Sequence, residues 1–189
     1  MTAHEVSLYN TRTRRKEAFV PIKPKEVKIY TCGPTVYSPQ HIGNMRPYMF
    51  ADLLRRTFLL KGFSVFHVTN ITDVGHLTDD GDSGDDKMEV AAKKSGRKAE
   101  EIADEYTAQW LEDRRLLNCV DPDVLCKATD HIAEQVALCQ KLESKGYTYR
   151  ISDGIYFDIS KFPGYANFAK LDLLKEGEGR IKDVSGKRH

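Results

Sequence analysis

An α/β fold organised on a parallel sheet is expected from three observations. A strand, a glycine-containing turn and an amphipathic helix follow one another from Tyr30 to Arg56; a second apolar strand, Phe63 to Asn70, comes directly after that helix; and two further helical stretches lead into a β-hairpin. Strand, helix and strand between Glu26 and Asn70 have the length of a right-handed parallel crossover unit.

Taken in order, Val6, Leu8 and Tyr9 suggest a short strand, Thr11 to Lys16 a basic turn, and Phe19-Val20 a second short strand. Pro21 and Pro24 connect it to the strand Glu26 to Thr31, where Val27, Ile29 and Tyr30 are β-branched or aromatic and Gly33-Pro34 ends the run. Phe50, Leu53, Leu54, Phe58 and Leu59 then recur at three- and four-residue spacing, with Arg55, Arg56 and Lys61 on the other side, until Gly62 stops the helix. Pro47 is tolerated in a first turn, which sets the expected helix start between Asn44 and Arg46. Gly75 to Lys87 reads as an acidic loop with Asp79, Asp80, Asp82, Asp85 and Asp86. It does not make a calcium loop, because a pattern started at Asp80 puts Gly84 at a ligand position and Asp85 at the turn glycine.

Lys98 to Leu117 is a predicted helix, with Pro122 marking a break. A second helix, about Ala128 to Lys145, directs Ile132, Val136, Leu138 and Leu142 toward a core and stops at Gly146. Tyr147 to Ile151 and Ile155 to Ile159 flank Ser152-Asp153-Gly154, a strong hairpin signal. From Ser160 onward Gly and Lys accumulate and no regular element is predicted.

At 189 residues the chain can bury a substantial core, and its 40% hydrophobic and 30% charged residues are those of an ordinary water-soluble domain. A net charge of +1 neither announces nor excludes a nucleic-acid partner, since a local basic face can be offset elsewhere. The N-terminus has no apolar run for a signal peptide and no stretch approaches the length of a membrane helix, so a cytoplasmic location is expected. Cys32, Cys119, Cys126 and Cys139 form no C-x-x-C pair. The last three read as packing residues in helix-like apolar surroundings, whereas Cys32 stands at a strand end beside the turn.

That turn is the candidate site. A strand feeding a helix leaves backbone N–H groups and a positive dipole end facing outward, a seat for a phosphate. His41 and Asn44 lie three apart at the helix entrance, and Gly43 between them lets a ligand approach the backbone. Asn70-Ile71-Thr72-Asp73 falls where the second parallel strand ends, the edge at which open α/β sheets place ligands.

His41-Ile42-Gly43-Asn44 resembles the His-Ile-Gly-His signature of class I aminoacyl-tRNA synthetases, with Asn in the fourth place. Tyr30-Thr31-Cys32-Gly33-Pro34-Thr35-Val36-Tyr37 is similar to the segment typical of the cysteinyl-tRNA synthetase family, and the resemblance runs from Leu8-Tyr9-Asn10-Thr11 to the last residues. It implies a Rossmann-like sheet, the first half of the catalytic domain over residues 1–120, and a helix and hairpin region over 121–189 that starts an inserted region. It further implies a ligase that activates L-cysteine with ATP and magnesium and transfers it to tRNA(Cys).

By the same resemblance His41 and Asn44 are catalytic, while Gly33, Thr35, His41, Gly43 and Asn44 bind the nucleotide. Cys32, Gly33 and Thr72 meet the amino acid, with Cys32 a zinc ligand. The other zinc ligands and the second signature, Lys-Met-Ser-Lys-Ser, are expected in the remainder of the polypeptide, so the chain reads as a truncated catalytic portion. Two alternatives carry the same half-fold: a non-catalytic nucleotide- or partner-binding module, and the related ligase that joins cysteine to an amino-sugar inositol. The Thr35-Val36-Tyr37 turn and the Leu8-Tyr9-Asn10-Thr11 opening resemble the tRNA enzyme more.

Overall fold

A computed structural model describes residues 6–75, 87–151 and 154–165. Two strands, β1 (Ser7–Asn10) and β2 (Arg15–Ala18), pair antiparallel with Ser7 opposite Ala18. The second strand therefore starts inside the basic run and ends before Phe19, which instead packs on Phe58 with ring centroids 4.7 Å apart. Only the tip of the run turns, with Arg14 in the left-handed region at φ 59°.

The sheet that carries the site has the order β3-β4-β5. Strand β3 (Glu26–Thr31) and β4 (Ser64–Ile71) are parallel, with Ile29 opposite His67 and Thr31 opposite Thr69. Strand β5 (Val124–Lys127) adds to β4 in parallel, Val68 opposite Val124. It lies past the boundary expected near residue 120, so the parallel sheet continues to Lys127. Asp123 prepares this pairing: its N–H donates to the His67 carbonyl at 2.8 Å and its carboxylate accepts from the His67 N–H at 2.7 Å.

Helix α1 (Ile42–Leu60) starts earlier than Pro47 suggests, because His41 and Asn44 cap its first turn. Pro47 consequently falls in the second turn, where it has no N–H to offer the Gly43 carbonyl. The buried face also differs from the expected one. Met45, Tyr48, Ala51, Asp52, Arg55 and Phe58 are buried, while Phe50 is 63% and Leu53 61% exposed.

The cause is polar. Asp52 accepts from the Val120 N–H at 2.8 Å and from Arg56 Nε at 2.7 Å, and Arg55 donates to the Asp121 carbonyl and, at 3.1 Å, to the Asp123 carboxylate. These contacts tie α1 to the 118–123 connection and turn the charged stripe inward. Buried charge is tolerated there because each group has a partner of opposite sign or a carbonyl.

Helices α2 (Lys87–Ser95) and α3 (Ala99–Leu116) follow. A core cluster of Val36, Met45, Tyr48, Ile71, Ile102, Ala103 and Trp110 joins the turn, α1, β4 and α3. Tyr48 and Trp110 meet edge to face at 5.3 Å, and the Arg114 guanidinium lies over Trp110 at 4.9 Å.

A 3₁₀ turn (Thr129–His131) leads into α4 (Ile132–Ser144), none of whose residues is buried; Ile132, Val136 and Leu138 are exposed, contrary to the core role expected of them. The hairpin β6 (Thr148–Ile151) and β7 (Gly154–Phe157) is antiparallel, with Gly154 already paired to Ile151. A second 3₁₀ turn (Ile159–Lys161) closes on Asp158. The acidic run Asp79 to Asp86, the turn residues Ser152-Asp153 and the segment 166–189 lie outside the described residues. No helix among the described residues is long and apolar enough to cross a membrane.

Candidate active site

The site forms where β3 and β4 end side by side. Past Thr31 the chain turns at Cys32-Gly33, and the Gly33 N–H donates to Asn70 Oδ1 at 3.0 Å. A Cβ on Gly33 would sit 1.7 Å from the Asn70 carbonyl oxygen, so only glycine allows the two strand ends to approach this closely. Thr72 then holds the turn from both sides, its N–H donating to the Pro34 carbonyl at 2.9 Å and its carbonyl accepting from Val36 N–H at 3.1 Å. Thr35 and Thr72 are thereby bridged in parallel.

The helix entrance is a reciprocal capping box. His41 Nδ1 accepts from the Gly43 N–H at 3.1 Å, and Asn44 Oδ1 accepts from the His41 N–H at 3.1 Å. Two of the amides expected to be free for an anion are therefore used within the helix. The box has a chemical consequence for its side chains. With Nδ1 accepting, neutral His41 carries its proton on Nε2; with Oδ1 accepting, Asn44 has its Nδ2 donors for other partners. Gly43 serves this box directly, since a Cβ there would sit 2.9 Å from His41 Cε1.

Two clefts adjoin. One, about 280 Å³ and mostly polar, is lined by Gly33, Thr35, Gln40, His41, Asn44 and Tyr48, among others. The other, about 450 Å³, is lined by Cys32, Gly33, Gly43, Asn44, Tyr48 and apolar residues of α1. Of the residues singled out in the sequence, Cys32, Gly33, Thr35, His41, Gly43 and Asn44 are thus brought together on one crevice; Thr72 lines neither cleft but is bridged to Thr35. Tyr48 was missed. Burial pushes its phenol up to about 12, so it faces the crevice as a neutral hydroxyl.

Cys32 is exposed. An exposed thiol suits a borderline-soft metal such as zinc, and Cys32, on the cleft of about 450 Å³, fits as one ligand of such a site. Among the described residues no group of three or more His, Cys, Asp or Glu is placed to hold a metal ion. Of the other cysteines, Cys119 is buried in the connection after α3, where desolvation pushes its thiol up. Cys126 is on β5 rather than a helix, and Cys139 is exposed on α4 rather than packed.

The model of the tRNA synthetases class I (C) catalytic domain matches residues 18–189, and the chain belongs to this family. It is similar to cysteine–tRNA ligase 1 of Burkholderia lata, with 47% identity over 183 residues, 97% of this chain and 39% of that protein. It is also similar to the cysteine–tRNA ligases of Zymomonas mobilis subsp. mobilis (46% over 184 residues, 97% and 36%) and Chlorobaculum tepidum (40% over 189 residues, 96% and 39%). The chain thus spans less than two-fifths of the length of these relatives.

Proposed function

We propose that this chain supplies the cysteine- and ATP-binding half of a cytoplasmic cysteine–tRNA ligase, acting with the remainder of its polypeptide on L-cysteine, ATP with magnesium, and tRNA(Cys). The observation that carries this reading is that the Cys32-Gly33 turn and the capped His41–Asn44 entrance share one crevice at the ends of parallel strands. Residues 1–120 are assigned to the first half of the catalytic fold; the 121–189 part opens with β5, which still belongs to the parallel sheet, and leads into the start of an inserted region.

In the first step the cysteine carboxylate attacks the α-phosphorus of ATP and pyrophosphate departs. No protein nucleophile is needed, only alignment and stabilisation of negative charge on the phosphate oxygens. His41 Nε2–H and the Asn44 Nδ2 group donate to those oxygens, each held in orientation by the hydrogen bond it makes within the capping box. Gly33, Thr35 and Gly43 keep the crevice open to the nucleotide. Asn44 is uncharged, so its contribution is hydrogen bonding alone.

Cysteine and serine differ only by sulfur for oxygen, a difference that pocket shape rejects weakly. Cys32, with ligands from the rest of the polypeptide, would hold zinc, which when bound would favour a thiolate over a hydroxyl and so supply that discrimination. Thr72 and Gly33 position the amino acid beside it.

The full gene product containing this chain, mixed with labelled cysteine, ATP, magnesium and tRNA(Cys), is expected to form cysteinyl-tRNA. Binding of ATP with no charging of any tRNA would favour a non-catalytic module instead.

A further inference from the structure

Asn70, the last residue but one of β4, holds together the two strand ends that form the crevice. Its Oδ1 accepts from the Gly33 N–H at 3.0 Å and from the Tyr30 hydroxyl at 3.1 Å, and its Nδ2 lies 3.1 Å from Thr72 Oγ1. The amide orientation is forced. A backbone N–H can only donate, so the atom facing Gly33 is the oxygen, and the atom facing Thr72 is the NH₂ group, which can only donate.

Thr72 Oγ1 must therefore accept, and its own proton is not spent on Asn70. The Thr72 main chain is fixed by Pro34 on one side and Val36 on the other, so its hydroxyl has a fixed place beside the turn. From this polarity we infer that Asn70 is a positioning residue that sets Thr72 as a hydrogen-bond donor to an anionic acceptor of the bound amino acid, while the same side chain pins the turn that carries Cys32.

This inference rests on the proposed cysteine-activating function. Its consequence is that what Asn70 must supply is a donor, not merely bulk. Aspartate has the same shape and still accepts from Gly33 and Tyr30, but it cannot donate to Thr72. The Thr72 hydroxyl would then turn its proton onto the new carboxylate and meet the substrate as an acceptor.

The test uses cysteine-dependent ATP–pyrophosphate exchange by the full gene product. Asn70→Asp is expected to raise KM for cysteine roughly tenfold, the weight of one hydrogen bond to a charged group, with KM for ATP within about twofold of the unsubstituted enzyme. Thr72→Val should reproduce the rise, and Thr72→Ser should restore the original value. In the Thr72→Val background Asn70→Asp should add little, since the two act as one unit. An unchanged cysteine KM in Asn70→Asp or Thr72→Val, or equal effects of Asn70→Asp in both backgrounds, would overturn the coupling. Failure of the unsubstituted protein to exchange with cysteine would instead overturn the function and the coupling with it.

Discussion

His67 lies in the middle of β4, 3% exposed, with Nε2 within 2.9 Å of Thr31 Oγ1 and 3.2 Å of Thr69 Oγ1. Its Nδ1 has no hydrogen-bond partner among the described residues. Burial, and after it the nearby Arg55 and Arg114 cations, hold its pKa below the ordinary value, outweighing Asp123 and Asp52. The folded chain therefore resists a proton that the unfolded chain accepts, and stability falls as pH drops below about 6.5 toward the lowered folded value. Asp123, whose carboxyl is lowered first by the His67 N–H, adds a further loss in more acid solution, below its ordinary value. Urea midpoints of the 189-residue chain are expected to fall between pH 8 and pH 5.5 and to do so less in His67→Gln; a pH-independent midpoint would contradict the burial argument. At this scale the sequence was uneven. Cys32, His41 and Asn44 were legible because a contiguous motif carries them. Asn70 was placed at the ligand edge as part of Asn70-Ile71-Thr72-Asp73, but its bonds to Tyr30 and Gly33 were not legible, because those partners are distant in the chain. Gly43 was recognised, but what its missing Cβ spares is first the His41 ring.

Helix α1 shows how an element can be found while its orientation is misread. Its end at Gly62 and its place between parallel strands were visible in periodicity and punctuation, whereas its start at Ile42 comes before the Asn44 to Arg46 that Pro47 suggested. Its buried face was not, because the apolar rule assigns Arg55 to solvent, whereas the 118–123 connection supplies Arg55 with a carboxylate and a carbonyl. Strand β5 was missed for a related reason: four residues after Pro122 carry too little alternation to signal a strand that its neighbour β4 completes. The capping box at the start of α1 gives His41 two separable roles. His41→Ala is expected to cost about 1 kcal/mol of stability through the lost cap. In the full gene product it should also lower the ATP–pyrophosphate exchange rate by roughly tenfold or more, the loss of one charge-assisted hydrogen bond. Unchanged exchange alongside the stability loss would leave His41 as a cap alone.

Over the whole molecule, the described residues present surface suited to more protein. Strand β3 is at the sheet edge, and Ile42, Met49, Phe50 and Leu53 form an exposed apolar face of α1. The chain also spans less than two-fifths of its relatives, and Cys32 alone is too few for a zinc site, with no group of three or more candidate ligands placed together among the described residues. Residues 1–189 alone are therefore expected to self-associate and not to charge tRNA with cysteine, ATP and zinc present; turnover equal to that of the full gene product would show this half to be a complete enzyme. The parallel sheet and its crevice were legible because local pattern encodes them, whereas the fate of the exposed α1 face depends on polypeptide that no local pattern describes. The central claim is that the crevice of Cys32, His41 and Asn44 activates cysteine, and ATP–pyrophosphate exchange by the full gene product across the twenty amino acids tests it most directly. Cysteine alone should support exchange, and Cys32→Ser should lower both bound zinc and the preference for cysteine over serine. Exchange driven by a different amino acid, or a Cys32→Ser enzyme with full zinc and undiminished selectivity, would contradict it.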